Sequence, residues 1–179
     1  MSAISRIAVI YKSVYGTTKQ YAEWISQELG ASLLEASTVQ PSQLTSYDVV
    51  IYGGGLYAGG ITGVDLVTKN PCNLQAVFTV GLANPDSTDY SPILEQNFSK
   101  EMLSKTKVFH LRGGIDYKKL GLIHRGMMAM KHKSVQKIEE SMRTDEDEHF
   151  LETYGSKIYF TDKSTIAPIL EYIKPMSTG

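Results

Sequence analysis

Residues 4–18 read I-S-R-I-A-V-I-Y-K-S-V-Y-G-T-T, and the change of pattern inside them decides the fold. The stretch 4–11 ends in a near-continuous β-branched and apolar run, the composition of a strand covered on both faces in a parallel sheet. Ser13-Val14-Tyr15-Gly16 reads as a turn. From Thr17 the spacing becomes helical, with Tyr21, Ala22, Trp24, Ile25 and Leu29 as core contacts and Gly30 as a C-cap. A buried strand running directly into a helix opens a βαβ unit.

The same alternation continues. Strands are predicted at 32–35, 48–52 (D-V-V-I-Y, ending at Gly53-Gly54-Gly55), 76–80 (A-V-F-T-V) and 107–111 (K-V-F-H-L). Helices are predicted at 63–70, 91–104 and about 117–133. A last helix runs from Lys163 or Ser164 to Tyr172, with Asp162 or Ser164 as its N-cap. Pro168 imposes a kink or a late start there. Such alternation implies an α/β fold with a mostly parallel sheet, and right-handed crossovers put helices on both faces. The chain, 1–179, reads as one domain, with an extra basic helical segment at about 114–155.

Composition narrows the function. A length of 179 residues supports one full core, and 42% apolar with 21% charged residues is ordinary for a globular protein. A net charge of -1 argues against nucleic acid as the main partner. The single cysteine, Cys72, can form neither an internal disulfide nor a C-x-x-C pair, and reads as a small, partly buried side chain. The N-terminus carries no cleavable leader pattern, and no run reaches the roughly 18 apolar residues of a spanning helix. The expected location is cytoplasmic, with contact to the cytoplasmic face of a membrane as a further expectation.

Three strands end in glycine-containing loops, at 13–18, 53–60 and 81–85. In an open parallel sheet, ligands sit beyond the carboxyl ends of the strands, at the switch point of the strand order, so these loops read as one site. In the first, Gly16 permits close backbone approach, and Ser13, Thr17 and Thr18 offer hydroxyls at a helix N-terminus, where an anion is stabilised. Neither G-x-x-x-x-G-K-[ST] nor G-x-G-x-x-G is present, so a nucleoside triphosphate and a dinucleotide are both disfavoured, and hydroxyls without a lysine suit a monophosphate ester. A Ser or Thr opening a helix is also an ordinary N-cap, and these residues alone leave both readings open.

S-x-Y-G-x-T after a first strand resembles the FMN phosphate loop of the flavodoxin superfamily. Tyr15 departs from the short-chain electron-carrier version and is similar to that of flavin-dependent quinone reductases and flavodiiron proteins. The resemblance spans nearly the whole chain. It implies a three-layer, doubly wound, parallel five-stranded sheet in the order 2-1-3-4-5, flavodoxin's own, with FMN at the switch point. It assigns Ser13, Tyr15, Gly16, Thr17 and Thr18 to the phosphate. It places Gly54, Gly55, Leu56, Tyr57, Ala58 and Gly59 beside the isoalloxazine ring near N5, with Tyr57 as a stacking aromatic and the glycines letting a peptide reorient. It sets Gly81, Leu82, Ala83 and Asn84 at the pyrimidine edge, where backbone N–H groups tune the ring and a nearby Asp86 would disfavour its reduced, anionic form.

The surplus over a minimal domain lies between Gly113 and Phe160. Leu120, Ile123, Met127 and Met130 form an apolar stripe. Lys118, Lys119, Arg125, Lys131 and Lys133 make the other faces basic, and the acidic run 145–148 follows. Arg112-Gly113-Gly114-Ile115-Asp116-Tyr117 and the next helix resemble the flavodoxin-type protoporphyrinogen IX dehydrogenases, FMN enzymes that pass electrons to quinone at the membrane. The segment reads either as a helix packing its stripe on the sheet, or as a docking surface for a partner, an anionic membrane (through 117–133) or an apolar substrate. Expected partners are therefore a redox protein, a quinone or an apolar small molecule.

His110 reads as a core or sheet-end residue. His124, His132 and His149 lack metal-ligand spacing, and no nucleophile–base set is present. No side chain is assigned as catalytic and no metal is expected: the chemistry falls to the flavin, in a carrier or an oxidoreductase. The alternative from another class is a non-catalytic module of this fold that binds a phosphorylated ligand or partner. A receiver-type domain is disfavoured, because Tyr11-Lys12 and Tyr52-Gly53 stand where strand-end acids are needed.

Overall fold

A computed structural model describes residues 5–178; Ile4, at the start of the predicted first strand, lies outside them. The packing forms two compact units, one made of the chain up to Gly113 and from Thr161 onward, the other of Gly114–Phe160.

The first unit holds the parallel sheet. β1 (Ile7–Lys12) leads into α1 (Thr17–Leu29), then β2 (Ser32–Glu35), β3 (Val49–Tyr57), the two-residue β4 (Gly60–Ile61) and the short α2 (Asp65–Thr68). β5 (Leu74–Gly81), α3 (Ser91–Asn97), α4 (Lys100–Lys105) and β6 (Lys107–Arg112) follow. The order is β2-β1-β3-β5-β6, with every pair along it parallel and β4 folded back on β3. Counting the parallel strands alone, this is the expected 2-1-3-4-5.

Both faces are buried, which is why the strands carry few polar residues. Ile7, Val9, Val49, Ile51, Ala76, Phe78 and Val80 face Tyr21, Ala22 and Ile25 of α1, together with Ile169 and Ile173. Their neighbours Ala8, Ile10, Val50, Tyr52 and Val77 face Val67, Phe98, Ile93 and Met102. The period of two along each strand thus feeds two cores, giving three layers.

Two boundaries in this unit differ from expectation, and a third follows it. β3 does not stop at Gly53 but runs through all three glycines to Tyr57. The glycines are needed because neighbours fill their space: a methyl group on Gly53 would lie 2.0 Å from the Phe78 ring, and one on Gly54 would lie 2.7 Å from the Thr62 carbonyl oxygen. The predicted helix 91–104 is two helices. Phe98 turns extended and buries, while the Ser99 hydroxyl accepts the Met102 N–H at 3.2 Å and starts α4 afresh. The last helix takes the late start expected from Pro168 rather than a kink. A 3-10 turn at Lys163–Ile166, capped by Asp162, precedes α7 (Ala167–Ile173), and Pro168 sits harmlessly in its first turn.

The second unit comprises β7 (Gly114–Asp116), α5 (Leu122–Gln136), α6 (Asp145–Thr153) and β8 (Lys157–Tyr159), with β7 and β8 antiparallel. The helix predicted from 117 begins only at Leu122, because Asp116 closes a 3-10 turn at Tyr117–Lys119 and Gly121 is extended. Its centre is aromatic: Tyr154 stacks on His132 at 4.1 Å and meets Tyr117 edge-on at 5.1 Å. The acidic run forms the first turn of α6. There Thr144 and Asp147 make a capping box and the negative charges face the helix's positive end.

Candidate functional site

The three glycine loops meet at the carboxyl edge of the sheet. A methyl group on Gly55 would lie 3.7 Å from the Thr18 hydroxyl, one on Gly113 would lie 2.9 Å from the Thr17 hydroxyl, and one on Gly81 would lie 3.1 Å from Leu56 Cδ1. The start of α1 thus adjoins the ends of β3 and β6, and the second loop touches the third.

In the first loop Gly16 is the N-cap of α1, with φ of 98°, and no side chain caps the helix. The Ser13 hydroxyl instead accepts the Gly16 N–H at 3.0 Å and tightens the turn. The ordinary N-cap reading therefore does not hold here. The amides at 17–19, in the first turn, have no intrahelical acceptor. A methyl group on Gly16 would meet nothing within 4 Å, so the space before the loop is open. Thr18 is buried, while Val14 and Tyr15 are exposed. Lys12, the cation just before the loop, is turned to Glu35 at 3.2 Å. Hydrogen bonding from Ser37, ahead of Lys12, holds the Glu35 carboxyl below its ordinary range. The polar groups that the loop itself presents are amides and hydroxyls.

The second loop is a tight hairpin. Leu56 pairs with Ile61 and Tyr57 with Gly60, leaving Ala58 and Gly59 as a two-residue turn with φ of 50° and 79°. Two successive positive φ values are what a type I′ turn demands, and only the second residue is glycine. Gly54 and Gly55 are paired with β5 inside β3, so the glycine that lies in the turn itself is Gly59. Leu56 is half-buried and Tyr57 exposed.

In the third loop the Asn84 side chain accepts the Asp86 N–H at 3.1 Å and caps the 3-10 turn Pro85–Ser87. Gly81, Leu82 and Ala83 are half-buried; Asp86 is exposed. Residues not expected from sequence hold this loop. Arg112 Nε and Nη2 both donate to the Leu82 carbonyl, at 3.1 and 2.9 Å, and the Gly113 N–H donates to the Gly81 carbonyl at 2.8 Å. Tyr90 stacks face to face on His110 at 3.5 Å, and His110 Nδ1 pairs with the Thr79 hydroxyl at 2.6 Å. Burial pulls the His110 ring down to about 4. A signal existed in the i, i+2 spacing of His110 and Arg112, which puts both on one face of β6.

These features are those of a flavodoxin-type parallel sheet with three loops at its carboxyl edge, and the chain belongs to the flavodoxin family: the family's flavodoxin-domain model matches residues 8–142. Among solved structures, oxidised flavodoxin 1 from Bacillus cereus is 14% identical over 60% of this chain and 84% of that chain, with a TM-score of 0.45. A flavoprotein in complex with FMN from Lactobacillus acidophilus NCFM is 17% identical, over 60% and 92%, with a TM-score of 0.39. Rubredoxin oxygen:oxidoreductase from Desulfovibrio gigas is 15% identical over 93% of this chain and 36% of that chain, with a TM-score of 0.42. No curated protein sequence matches at a significant level.

Proposed function

We propose that this chain binds one FMN at the carboxyl edge of its sheet and uses it in electron transfer. The observation that carries the reading is the first loop: an uncapped helix N-terminus, three hydroxyls and a left-handed glycine facing open space. That donor set fits a phosphate monoester. The amides at 17–19 and the hydroxyls of Thr17 and Thr18 would hold the phosphate, with Ser13 and Tyr15 shaping the turn. The hairpin at 54–59, with Tyr57 at its tip, and the loop at 81–84 would flank the ring. When bound, FMN supplies the one- and two-electron chemistry, and the protein supplies binding, orientation and the local field. Purified protein is expected to show flavin absorption bands and to release FMN on denaturation. A colourless protein that takes up no added FMN would leave the phosphorylated-partner reading in its place.

A finer reading, an oxidoreductase with an apolar substrate such as a quinone or protoporphyrinogen, is favoured by one observation. Of the stripe on α5, Ile123, Met127 and Met130 are 72%, 39% and 71% exposed, and Leu122 beside it is 86% exposed. The apolar stripe is therefore not the packing face that its spacing suggests, although Leu120, ahead of the helix, is buried. Basic residues at 118, 119 and 133 accompany it, which suits an apolar partner, or a membrane surface met peripherally in the cytoplasm. No helix among the described residues is long and apolar enough to cross a membrane. Steady-state assays with quinones and with protoporphyrinogen, on the intact chain and on one lacking 117–133, test this. Turnover lost with FMN retained supports it, and equal turnover removes it.

A further inference from the structure

We infer that Arg112 is a positioning residue for the flavin, setting the direction of the third loop's backbone and thereby the relative affinity for reduced and oxidised FMN. The inference rests on the FMN reading above and adds a residue which that reading does not assign.

The geometry begins with strand order. β6 is the outer neighbour of β5, while β3 and β1 lie on its other side, at the switch point. Arg112 ends β6 and pairs with Gly81, the last residue of β5. From there both Nε and Nη2 converge on one carbonyl, that of Leu82, at 3.1 and 2.9 Å. Two donors from a planar fork leave that oxygen little rotational freedom. In a trans peptide the C=O and the following N–H point in opposite directions. Drawing the Leu82 carbonyl toward β6 therefore aims the Ala83 N–H away from β6, toward the side where the three loops meet.

The base of the clamp is itself fixed. The Arg112 carbonyl accepts the Tyr21 hydroxyl at 2.6 Å, and Tyr21 is fully buried in α1, the helix that begins at the phosphate loop. A reduced flavin carries more negative charge at its pyrimidine edge than an oxidised one, so a fixed N–H dipole and a nearby guanidinium favour the reduced form. The carbonyl, by contrast, would disfavour it if turned inward. Arg112 prevents that turn and places a positive charge behind the loop.

The test compares FMN-loaded wild type with Arg112→Gln and Arg112→Lys, measuring oxidised-FMN affinity by fluorescence and the two-electron midpoint potential by dye equilibration. Arg112→Gln is expected to weaken reduced FMN about tenfold relative to oxidised FMN, which is a fall of about 30 mV. Arg112→Lys, which keeps the charge but loses the fork, is expected to move the potential in the same direction by less. An unchanged potential in both variants overturns the inference; if Arg112→Gln does not fold, an unchanged potential in Arg112→Lys alone does so. Failure of wild type to bind FMN is a separate result and overturns the underlying reading instead.

Discussion

Asn97 holds Gly59 from across the sheet edge. Its Nδ2 donates to the Gly59 carbonyl at 3.0 Å while its Oδ1 accepts the Ile61 N–H at 3.2 Å, so one side chain at the end of α3 grips both sides of the β3–β4 turn. Replacing it with alanine removes both bonds, and a third to the Ile93 carbonyl at 2.7 Å, from a partly buried site, and is expected to cost about 1–2 kcal/mol. Urea denaturation would read that loss. The same variant should bind FMN more weakly, since the hairpin it steadies is assigned to the ring, and wild-type affinity in a destabilised Asn97→Ala would detach the hairpin from the ligand.

Gly16→Ala separates strain from steric block. The φ of 98° is unfavourable for any residue with a Cβ, whereas the methyl group itself meets nothing within 4 Å. The expected cost in the flavin-free protein is about 1–2 kcal/mol. FMN retention should fall further than that, because the methyl enters the space before the loop. Thermal melts with and without added FMN measure both. A variant that FMN stabilises as much as wild type would take Gly16 out of the cradle.

Gly53→Ala is expected to be among the most damaging single-methyl changes in the chain, at roughly 3 kcal/mol or more, because it drives a carbon into the Phe78 ring. Adding Phe78→Leu should recover part of the loss. A double variant no more stable than Gly53→Ala alone would show that the damage lies in the strand backbone rather than in this contact.

The His110 ring predicts acid lability with a defined sign. Its folded value, about 4, lies below the ordinary 6.5 because burial disfavours the charged imidazolium. The unfolded chain takes a proton first as pH falls. Stability from this group is therefore full above about pH 6.5, declines between about 6.5 and 4, and then levels off, by on the order of 1–3 kcal/mol in all. Urea midpoints at pH 7, 5.5 and 4.5 should fall more steeply in wild type than in His110→Asn. Parallel slopes would assign the acid response to other groups.

The strands, their order and the meeting of the three loops follow from patterns in the chain: continuous apolar runs say parallel, and glycine at strand ends says ligand edge. What sequence pattern obscured was where glycine serves packing. Gly53 and Gly54 look like a loop, yet they pair with β1 and β5 as strand, and Phe78 against Gly53 and Thr62 against Gly54 leave no room for a side chain. Helix breaks at Phe98 and Gly121 also depend on a local competitor for the backbone, Ser99 in one case and the Asp116 cap in the other, which periodicity does not register. Arg112 and Asn97 meet backbone groups, which carry no sequence signature, so the spacing that puts Arg112 on one face of β6 with His110 names no partner for it.

The Tyr21 hydroxyl has one more consequence. It donates to Arg112, the penultimate residue before the chain leaves the first unit, and accepts the Asp162 N–H at 3.2 Å, just after the chain returns. Departure and re-entry are thus two hydrogen bonds apart, pinned by one phenol. An excursion whose ends are stitched together in this way can lengthen, shrink or be exchanged between related proteins without disturbing the strand register beneath it. Evolution can therefore redraw that segment while leaving the carboxyl edge of the parallel sheet untouched.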